Sequence, residues 1–434
     1  MGGIRPMSDL RAFLDSLFAT AVAAAHPAAF LPPLLPAPPK GRIVLLAAGK
    51  AAGSMAEVAE KAYLETRGLP PDRLAGIAVA RHGYGRPTRI VEMVEAGHPI
   101  PDAAGLAAAE RALELADAAD SDDLVLVLMS GGASANWIAP AAGITFADKQ
   151  AVTRALLRSG AHIGEINTVR KHLSRIKGGR LARHAFPAKV ATIAISDVPG
   201  DDPAVIGSGP TVPDRSTLAD ARAIVAKYRL DVPQAVMQAL ADPANESPKP
   251  GDEAFANATF TLAARPADAL AAAQRAAQAA GFEVIFLGDR VEGEAREVAA
   301  AHARLARDLR AAGRRVVIMS GGELTVTIRG QGHGGPNQEY ALALAPALAG
   351  MPAVAALAGD TDGTDGGAGS ASDPAGAYVD STTVTRARAL GLDTAAFLAD
   401  NDSTGFFTRL GDLLQPGPTY TNVNDFRAIV VDTP

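Results

Sequence analysis

Two basic residues in glycine-rich loops are the strongest candidates for chemistry. Lys50 follows an apolar run within AAGKAAGS, and Arg329 comes directly before GQGHGG. A lysine between a buried strand and a helix N-terminus favours an anionic ligand, although a solvated surface lysine is an equally weighted alternative. An arginine can neutralise charge that develops on a reacting oxygen. Both positions therefore predict chemistry on anionic groups.

Two Ser-Gly-Gly turns follow the apolar runs VLVLM and VVIM, which suggests two related halves, with coincidence as the alternative. Glycine permits positive φ and close approach, so the backbone N–H groups of such turns can hold phosphate oxygens. Ordinary tight turns use the same residues. The predicted phosphate- and nucleotide-binding residues are Ser130, Gly131, Gly132, Ser134, Ser320, Gly321 and Gly322.

A basic run, INTVRKHLSRIKGGRLA, occupies residues 166–182. On a helix, residues three and four apart share a face, so Lys171, His172 and Arg175 would lie together. A solvated basic face is the plain alternative to a clamp for a carboxylate or phosphate. The predicted substrate-binding residues come from this run and from the later PNQE segment: Arg175, Lys177, Asn337 and Glu339.

Carboxylates also follow apolar runs. Asp197 comes directly after VATIAIS, and Asp360 and Asp362 lie in AGDTDGTDG. A carboxylate at a strand end is suited to act as a general base or as a Mg²⁺ ligand, whereas Asp in such loops often serves only the turn. We predict Asp197 as a catalytic residue and all three as metal ligands. An EF-hand is excluded, because Gly363 occupies the wrong position of that loop.

Gly330-x-Gly332-x-x-Gly335 matches the dinucleotide-binding fingerprint, which would indicate an NAD enzyme. The next acidic strand end, Asp360, lies about 30 residues further on, where the fingerprint expects about 20. The match is therefore weak. The sequence contains neither a GxxxxGK[ST] loop nor the protein-kinase signature set.

Composition narrows the class of protein. The chain has 434 residues, a formal charge of −6 and no cysteine, which excludes disulfides, zinc–thiolate sites and a cysteine nucleophile. The mild acidity argues against a nucleic-acid binder. Apolar runs fall short of the ~20 uninterrupted residues of a membrane span. We expect a soluble, cytoplasmic protein that binds no nucleic acid and no membrane.

Short apolar runs alternate with alanine-rich amphipathic stretches, the pattern of an α/β fold with parallel sheets. In such folds ligands bind beyond the carboxyl ends of the strands. A polar, proline-broken linker at 242–252 predicts two domains, 8–245 and 253–434. The predicted strands are 43–47, 76–80, 124–129, 190–195, 282–287, 316–319 and 354–357, and the predicted helices are 53–65, 103–118, 148–159, 267–280 and 292–312.

In order along the chain, these motifs resemble the class II glycerate kinases (the glycerate 2-kinase or MOFRL family). The similarity runs from about residue 8 to the C-terminus; its motifs include AAGKAAGSMA, GHPIPD, LMSGGASA, SDVPGDDPAVIGSGPTVPD, GQGHGGPNQEYALALA, AGDTDGTDG and DNDSTGFF. The resemblance implies two α/β domains with mainly parallel, Rossmann-like sheets and an active-site cleft between them. It implies ATP- and Mg²⁺-dependent phosphorylation of D-glycerate to 2-phosphoglycerate, with Lys50 and Arg329 at the positions regarded as essential.

Two other functions stay open. An NAD(P)H-dependent hydroxypyruvate reductase would use the glycine fingerprint, and members of the family have carried that name. A non-catalytic, anion-binding regulator would use the basic run but would leave the aspartates at the strand ends without a role. The sequence also leaves the oligomeric state open, a homodimer included.

Overall fold

The computed structural model describes residues 7–198, 200–367 and 369–433, so Pro434, the last residue of the predicted second domain, lies outside it. Pro199 and Ala368, which belong to two of the motifs above, lie outside it as well. The chain divides into two compact units. The central unit is Phe30–Ala263, and the terminal unit combines the residues up to Ala29 with those from Ala264 onward. The predicted domain bounds, 8–245 and 253–434, and the predicted cleft stay predictions.

The strands in the described part of the chain are β1 Ile43–Ala48, β2 Leu74–Arg81, β3 Glu92–Ala96, β4 Leu124–Met129, β5 Lys189–Ile195, β6 Ala258–Ala264, β7 Glu283–Phe286, β8 Gly293–Glu294, β9 Arg315–Ser320, β10 Leu324–Thr325, β11 Val354–Asp360, β12 Gly376–Asp380, β13 Leu413–Leu414 and β14 Asp425–Asp432. All seven predicted strands are among them. The helices are α1 Met7–Ala25, α2 Pro27–Leu34, α3 Ala52–Lys61, α4 Ala103–Asp117, α5 Ala133–Asn136, α6 Phe146–Arg158, α7 Ile163–His172, α8 Arg180–Ala185, α9 Leu218–Lys227, α10 Gln234–Ala241, α11 Pro266–Ala279, α12 Ala295–Ala311, α13 Pro336–Leu348, α14 Thr383–Ala389, α15 Thr394–Ala399 and α16 Ser403–Leu410.

The central unit is built on a sheet of order β3-β2-β1-β4-β5-β6, in which β1 to β5 pair in parallel. Strands β1 and β4 are buried along their whole length, as continuous apolar runs in a doubly covered sheet should be. From β1 the chain builds outward first to β2 and β3 and then, on the other side, to β4 and β5. The reversal places a topological switch point between β1 and β4, where such sheets bind ligands.

The terminal unit is built on a sheet of order β13-β12-β11-β14-β9-β7. Only β7 and β9 pair in parallel; the other four pairings are antiparallel. The α/β class is confirmed, but this sheet is mixed rather than mainly parallel as predicted. Two of these pairings come from the C-terminal strand β14, which inserts between β11 and β9 and runs antiparallel to both, and the other two come from β12.

The N-terminal helices carry a long apolar stretch. The segment Asp9–Leu34 is long and apolar enough, by length and composition alone, to cross a membrane. In the terminal unit, however, α1 packs against α11, β11 and β14. Its side chains Leu10, Leu14 and Leu17 are at most 1% exposed. Helix α1 therefore contributes to the core of this unit.

Candidate active site

The loops after β1 and β4 lie side by side, because these strands are parallel neighbours in the central sheet. The backbone N–H of Lys50 donates to the Gly131 carbonyl at 2.8 Å, and the Ala51 N–H donates to Ser130 Oγ at 2.9 Å. Gly49 has φ 118°, and a Cβ there would lie 2.4 Å from Ser130 Oγ. Only glycine permits this approach. The two loops are therefore tied together, with Lys50 fixed at their junction.

The Ser130–Ser134 turn can bind a ligand through its backbone N–H groups but not through the Ser130 hydroxyl. Ser130 is fully buried, and its Oγ is occupied by the neighbouring loop. Among the residues that the structure describes, no acceptor is found for the backbone N–H groups of Gly131 and Gly132. Ser134 is partly exposed, and its Oγ lies 2.7 Å from Ser208 Oγ. The glycine N–H groups are therefore available to an oxyanion, as a phosphate-binding turn requires.

Lys50 and His98 lie against the same glycine. A Cβ on Gly132 would stand 3.0 Å from His98 Cδ2 and 3.3 Å from Lys50 Cγ. Gly132 has φ 87°, so glycine is favoured there on backbone grounds as well. The sequence analysis did not single out His98, although it belongs to the GHPIPD motif; its proximity to Lys50 is a property of the folded chain.

Of the two predicted basic ligands, only Lys177 lies at this turn. Its side chain is 1% exposed, and Nζ donates to the Ser134 carbonyl oxygen at 2.6 Å. Burial lowers the pKa of Lys177 well below its usual value, and the charge of Arg170 lowers it further. The Arg175 guanidinium instead forms an ion pair with Glu110 and donates to a backbone carbonyl. The Arg175 guanidinium is thus engaged by residues outside the turn.

Asp197 follows β5 by two residues and is partly buried. Because β5 is the parallel neighbour of β4, Asp197 lies at the same edge of the central sheet as the Ser130–Ser134 turn. The predicted catalytic aspartate and the glycine turn are therefore on one side of the unit.

The second Ser-Gly-Gly turn follows β9 in the terminal unit and is engaged internally. Ser320 Oγ accepts from Arg427 Nε at 3.3 Å. The Gly321 N–H donates to the Gly288 carbonyl at 2.9 Å. Gly322 has φ 99°, close to the 87° of the equivalent glycine in the first turn. The second glycine of each turn thus has a positive φ, but phosphate binding by Ser320, Gly321 and Gly322 stays a prediction.

The loop that carries Arg329 is held through its backbone. All five N–H groups of residues 329–333 donate to oxygen atoms of residues 400–402. Asn401 Oδ1 accepts from Arg329 at 2.7 Å and from Gly330 at 3.1 Å. The Arg329 side chain is exposed, and in the part of the chain that the structure describes it has no ion-pair partner. The loop is fixed while its guanidinium stays accessible to a ligand.

Glu339 supports Asn401 from within the unit. Asn401 has φ 55° and is 6% exposed, and its Nδ2 donates to Glu339 Oε1 at 3.2 Å. Glu339 is 1% exposed and also accepts from Arg296 Nε at 2.6 Å. Through these hydrogen bonds the Glu339 carboxylate connects helix α13 to Asn401, which in turn holds the Arg329 loop. The structure thus gives Glu339 contacts of a positioning residue.

We expect Asn401→Ala to lower kcat about 10-fold to 100-fold with little change in KM, because misplacement of a reacting group costs rate. The double variant Asn401→Ala/Arg329→Ala should be no slower than Arg329→Ala alone, since both changes act through one guanidinium. Steady-state kinetics of the four proteins test this. Additive losses would show that Asn401 acts independently of Arg329.

The N-terminus of α13, at Asn337 and Gln338, is hydrogen-bonded to the carboxylate of Asp365. Asp365 Oδ1 accepts from the Asn337 N–H at 3.0 Å, and Oδ2 accepts from the Gln338 N–H at 2.8 Å. Asn337 Nδ2 also donates to Asp425 Oδ1 at 2.7 Å. Asn337 is 1% exposed. Burial raises the pKa of Asp365 to about 7, against the lowering effect of these N–H donors.

The glycine fingerprint therefore has a packing role. A Cβ on Gly330 would lie 2.2 Å from the Asp400 carbonyl oxygen, and one on Gly332 would lie 2.3 Å from Asp402 Cβ. A dinucleotide fingerprint places the pyrophosphate at the N-terminus of the following helix. Here the buried carboxylate of Asp365 already accepts from the N–H groups of that terminus. The fingerprint offers no open pyrophosphate site.

Asp360 and Asp362 lie at the end of β11. Asp360 Oδ1 accepts from the Asp362 N–H at 2.9 Å, and Asp362 Oδ1 accepts from the Thr364 N–H at 2.8 Å. These bonds are the turn contacts weighed above as the alternative to metal binding. Among the described residues, no group of three or more acidic or histidine side chains is placed to hold a metal ion. Asp197, Asp360 and Asp362 as metal ligands stay a prediction.

The α/β fold, with exposed or partly exposed cations in loops beyond its strands, is typical of an enzyme that acts on a small molecule. Two family models match the chain: a domain of unknown function, DUF4147, over residues 13–241, and the MOFRL family over residues 316–425. A D-glycerate 2-kinase of Thermotoga maritima is 39% identical over 88% of this chain and 89% of that protein. A putative hydroxypyruvate reductase of Agrobacterium vitis is 46% identical over 97% and 94%.

A solved structure agrees with these sequence relatives. The crystal structure of glycerate kinase from Thermotoga maritima matches with a TM-score of 0.85 and 36% identity, covering 98% of this chain and 100% of that chain. The chain therefore belongs to the glycerate kinase family that combines a DUF4147 and a MOFRL domain.

Proposed function

We propose that the protein transfers the γ-phosphoryl group of ATP to the 2-hydroxyl of D-glycerate, giving 2-phosphoglycerate. The observation that carries the proposal is the likeness to a glycerate kinase along 98% of the chain. The name hydroxypyruvate reductase of one relative favours a second candidate. That candidate needs a nicotinamide dinucleotide site, and the only fingerprint in the sequence packs against residues 400–402 and Asp365.

In this reaction the glycerate 2-hydroxyl oxygen forms a bond to the γ-phosphorus while the bond to the bridging oxygen of ADP breaks. The hydroxyl proton passes to a base, for which Asp197 is the candidate. Phosphoryl transfer depends on positioning and charge neutralisation more than on covalent chemistry. Lys50 and Arg329 neutralise charge on the phosphoryl group, and the N–H groups of Gly131 and Gly132 hold phosphate oxygens.

Mg²⁺ would neutralise charge on the phosphates when it is bound with ATP. Such sites use one or two protein carboxylates together with the phosphates, so a cluster of three acids is not required. Asp360 and Asp362, adjacent at a strand end, are a donor pair of that kind, and Asp197 is the third candidate. We further propose a cytoplasmic, soluble enzyme; a homodimer stays open.

The decisive assay contains D-glycerate, ATP and Mg²⁺ and is coupled through enolase, which accepts only 2-phosphoglycerate. We expect signal here and none in a parallel reaction of hydroxypyruvate with NADH. Adding phosphoglycerate mutase separates the regiochemistry: signal that appears only with the mutase would mean 3-phosphoglycerate. NADH oxidation with a silent kinase reaction would establish the reductase instead.

A further inference from the structure

Two cations of the central unit contact the Ser134 carbonyl oxygen, and a third, Lys149, lies close enough for its charge to act on Lys177. Lys177 Nζ donates to the Ser134 carbonyl oxygen at 2.6 Å, and Arg170 Nη2 reaches the same oxygen at 3.4 Å. Lys149 Nζ donates to the Leu173 carbonyl oxygen at 2.6 Å. Lys149 and Lys177 are 3% and 1% exposed. Each cation therefore donates to a backbone carbonyl oxygen rather than to a carboxylate.

Two neighbouring cations of the same segment, in contrast, lie near carboxylates. Lys171 Nζ lies 3.5 Å from Asp214 Oδ1, and the charges of Asp214 and Glu246 act on Arg180. Among the residues that the structure describes, no carboxylate lies within 4 Å of the ammonium or guanidinium nitrogens of Lys149, Arg170 or Lys177. We call these three residues the uncompensated triad.

Burial of three cations without a counter-ion lowers the stability of the folded protein when no ligand is bound. A charge removed from water without a counter-ion loses several kcal/mol of solvation. Burial lowers the pKa of both lysines well below their usual value, and the charge of Arg170 lowers both further. Arg170 Nε is buried and has no hydrogen-bond partner among the residues of the described ranges. An anion bound at this place would offset each of these costs.

We propose that the uncompensated triad is an oxyanion site for a substrate of the enzyme. Arg170 is partly exposed, as is Ser134, so its planar guanidinium can contact two oxygens of the ligand. Lys149 and Lys177 supply positive charge from behind. The free N–H groups of Gly131 and Gly132 belong to the same turn. The identity of the substrate rests on the proposed function, whereas the recognition of an oxyanion rests on the contacts of the triad itself.

A carboxylate and a phosphate present the same oxygens to such a site, so the ligand is the carboxylate of D-glycerate or a phosphate of ATP. Calorimetric titration of each alone tells them apart, with a non-hydrolysable ATP analogue and Mg²⁺ for the nucleotide. In Arg170→Gln we expect one affinity to fall about 10-fold to 100-fold, as for a lost charged hydrogen bond, and the other to stay within about twofold. The ligand that weakens is the one bound.

The matched control is Arg154→Ala, which removes an exposed positive charge from the same helix as Lys149. It should leave both affinities unchanged. If Arg170→Gln also leaves both unchanged, or weakens both equally, the triad does not recognise a substrate oxyanion.

Thermal unfolding with inorganic phosphate as the probe separates this site from the proposed function. Phosphate should raise the Tm of the natural protein. Lys149→Met should have a higher Tm than the natural protein without phosphate, because it removes a buried uncompensated charge, and should lose most of the phosphate shift. The site is overturned if Lys149→Met has a lower Tm than the natural protein and keeps the full phosphate shift. If Lys149→Met does not fold, an unchanged phosphate shift in Arg170→Lys overturns the site instead. A silent kinase assay with the expected shifts would overturn only the proposed function.

Discussion

Arg329→Ala is expected to lower kcat by about 10³-fold to 10⁵-fold, the range that an arginine contributes in other phosphoryl-transfer enzymes. The fold should be unaffected, because the loop is held by the N–H groups of residues 329–333, which alanine retains. The guanidinium is exposed and takes no part in those bonds. Steady-state kinetics with D-glycerate and ATP give kcat, and circular dichroism with Tm confirms folding.

The control for this variant is Arg304→Ala, an exposed arginine on α12 of the same unit. It should retain full activity. Arg329→Lys keeps the charge but not the planar fork, so an intermediate rate is expected. A kcat for Arg329→Ala within a few-fold of the natural enzyme would remove Arg329 from the mechanism.

The second large effect is expected for Lys50→Ala. Loss of one charge-stabilising donor costs about 10²-fold to 10³-fold in kcat in other enzymes. The junction of the two loops should survive, because it uses the backbone N–H of Lys50 and the Ser130 hydroxyl, not the lysine side chain. Kinetics alongside Lys61→Ala, an exposed lysine at the end of α3, is the measurement. Equal rates for the two variants would contradict a role for Lys50 in transfer.

Buried parallel strands and helix ends were predictable because their signals are local. The runs that form β1 and β4 are apolar without interruption, and burial on both faces permits nothing else. Gly281 and Gly313 come just after α11 and α12 with φ 83° and 68°, as helix C-termini require. The direction of β14 was not predictable, since strand polarity in a sheet depends on partners distant in sequence.

Candidate site residues were harder to sort for the same reason. Arg175 and Arg170 belong to one basic run, yet the first pairs with Glu110 and the second reaches the Ser134 turn. Asn337 and Glu339 are polar residues beside glycines, which suggests a ligand. The structure occupies them with Asp365 and Asn401, 28 and 62 residues further along the chain. A partner at that separation leaves no local mark in the sequence.

The chain contains a single tryptophan, Trp137, directly after the helix that begins at the Ser130–Ser134 turn. Its backbone N–H donates to the Ala133 carbonyl at 2.9 Å, and the residue is 2% exposed. Indole emission therefore comes from the central unit alone, from a core residue three positions after the Ser130–Ser134 turn. Fluorescence can follow unfolding of this unit without an added label, while the terminal unit contributes no tryptophan signal.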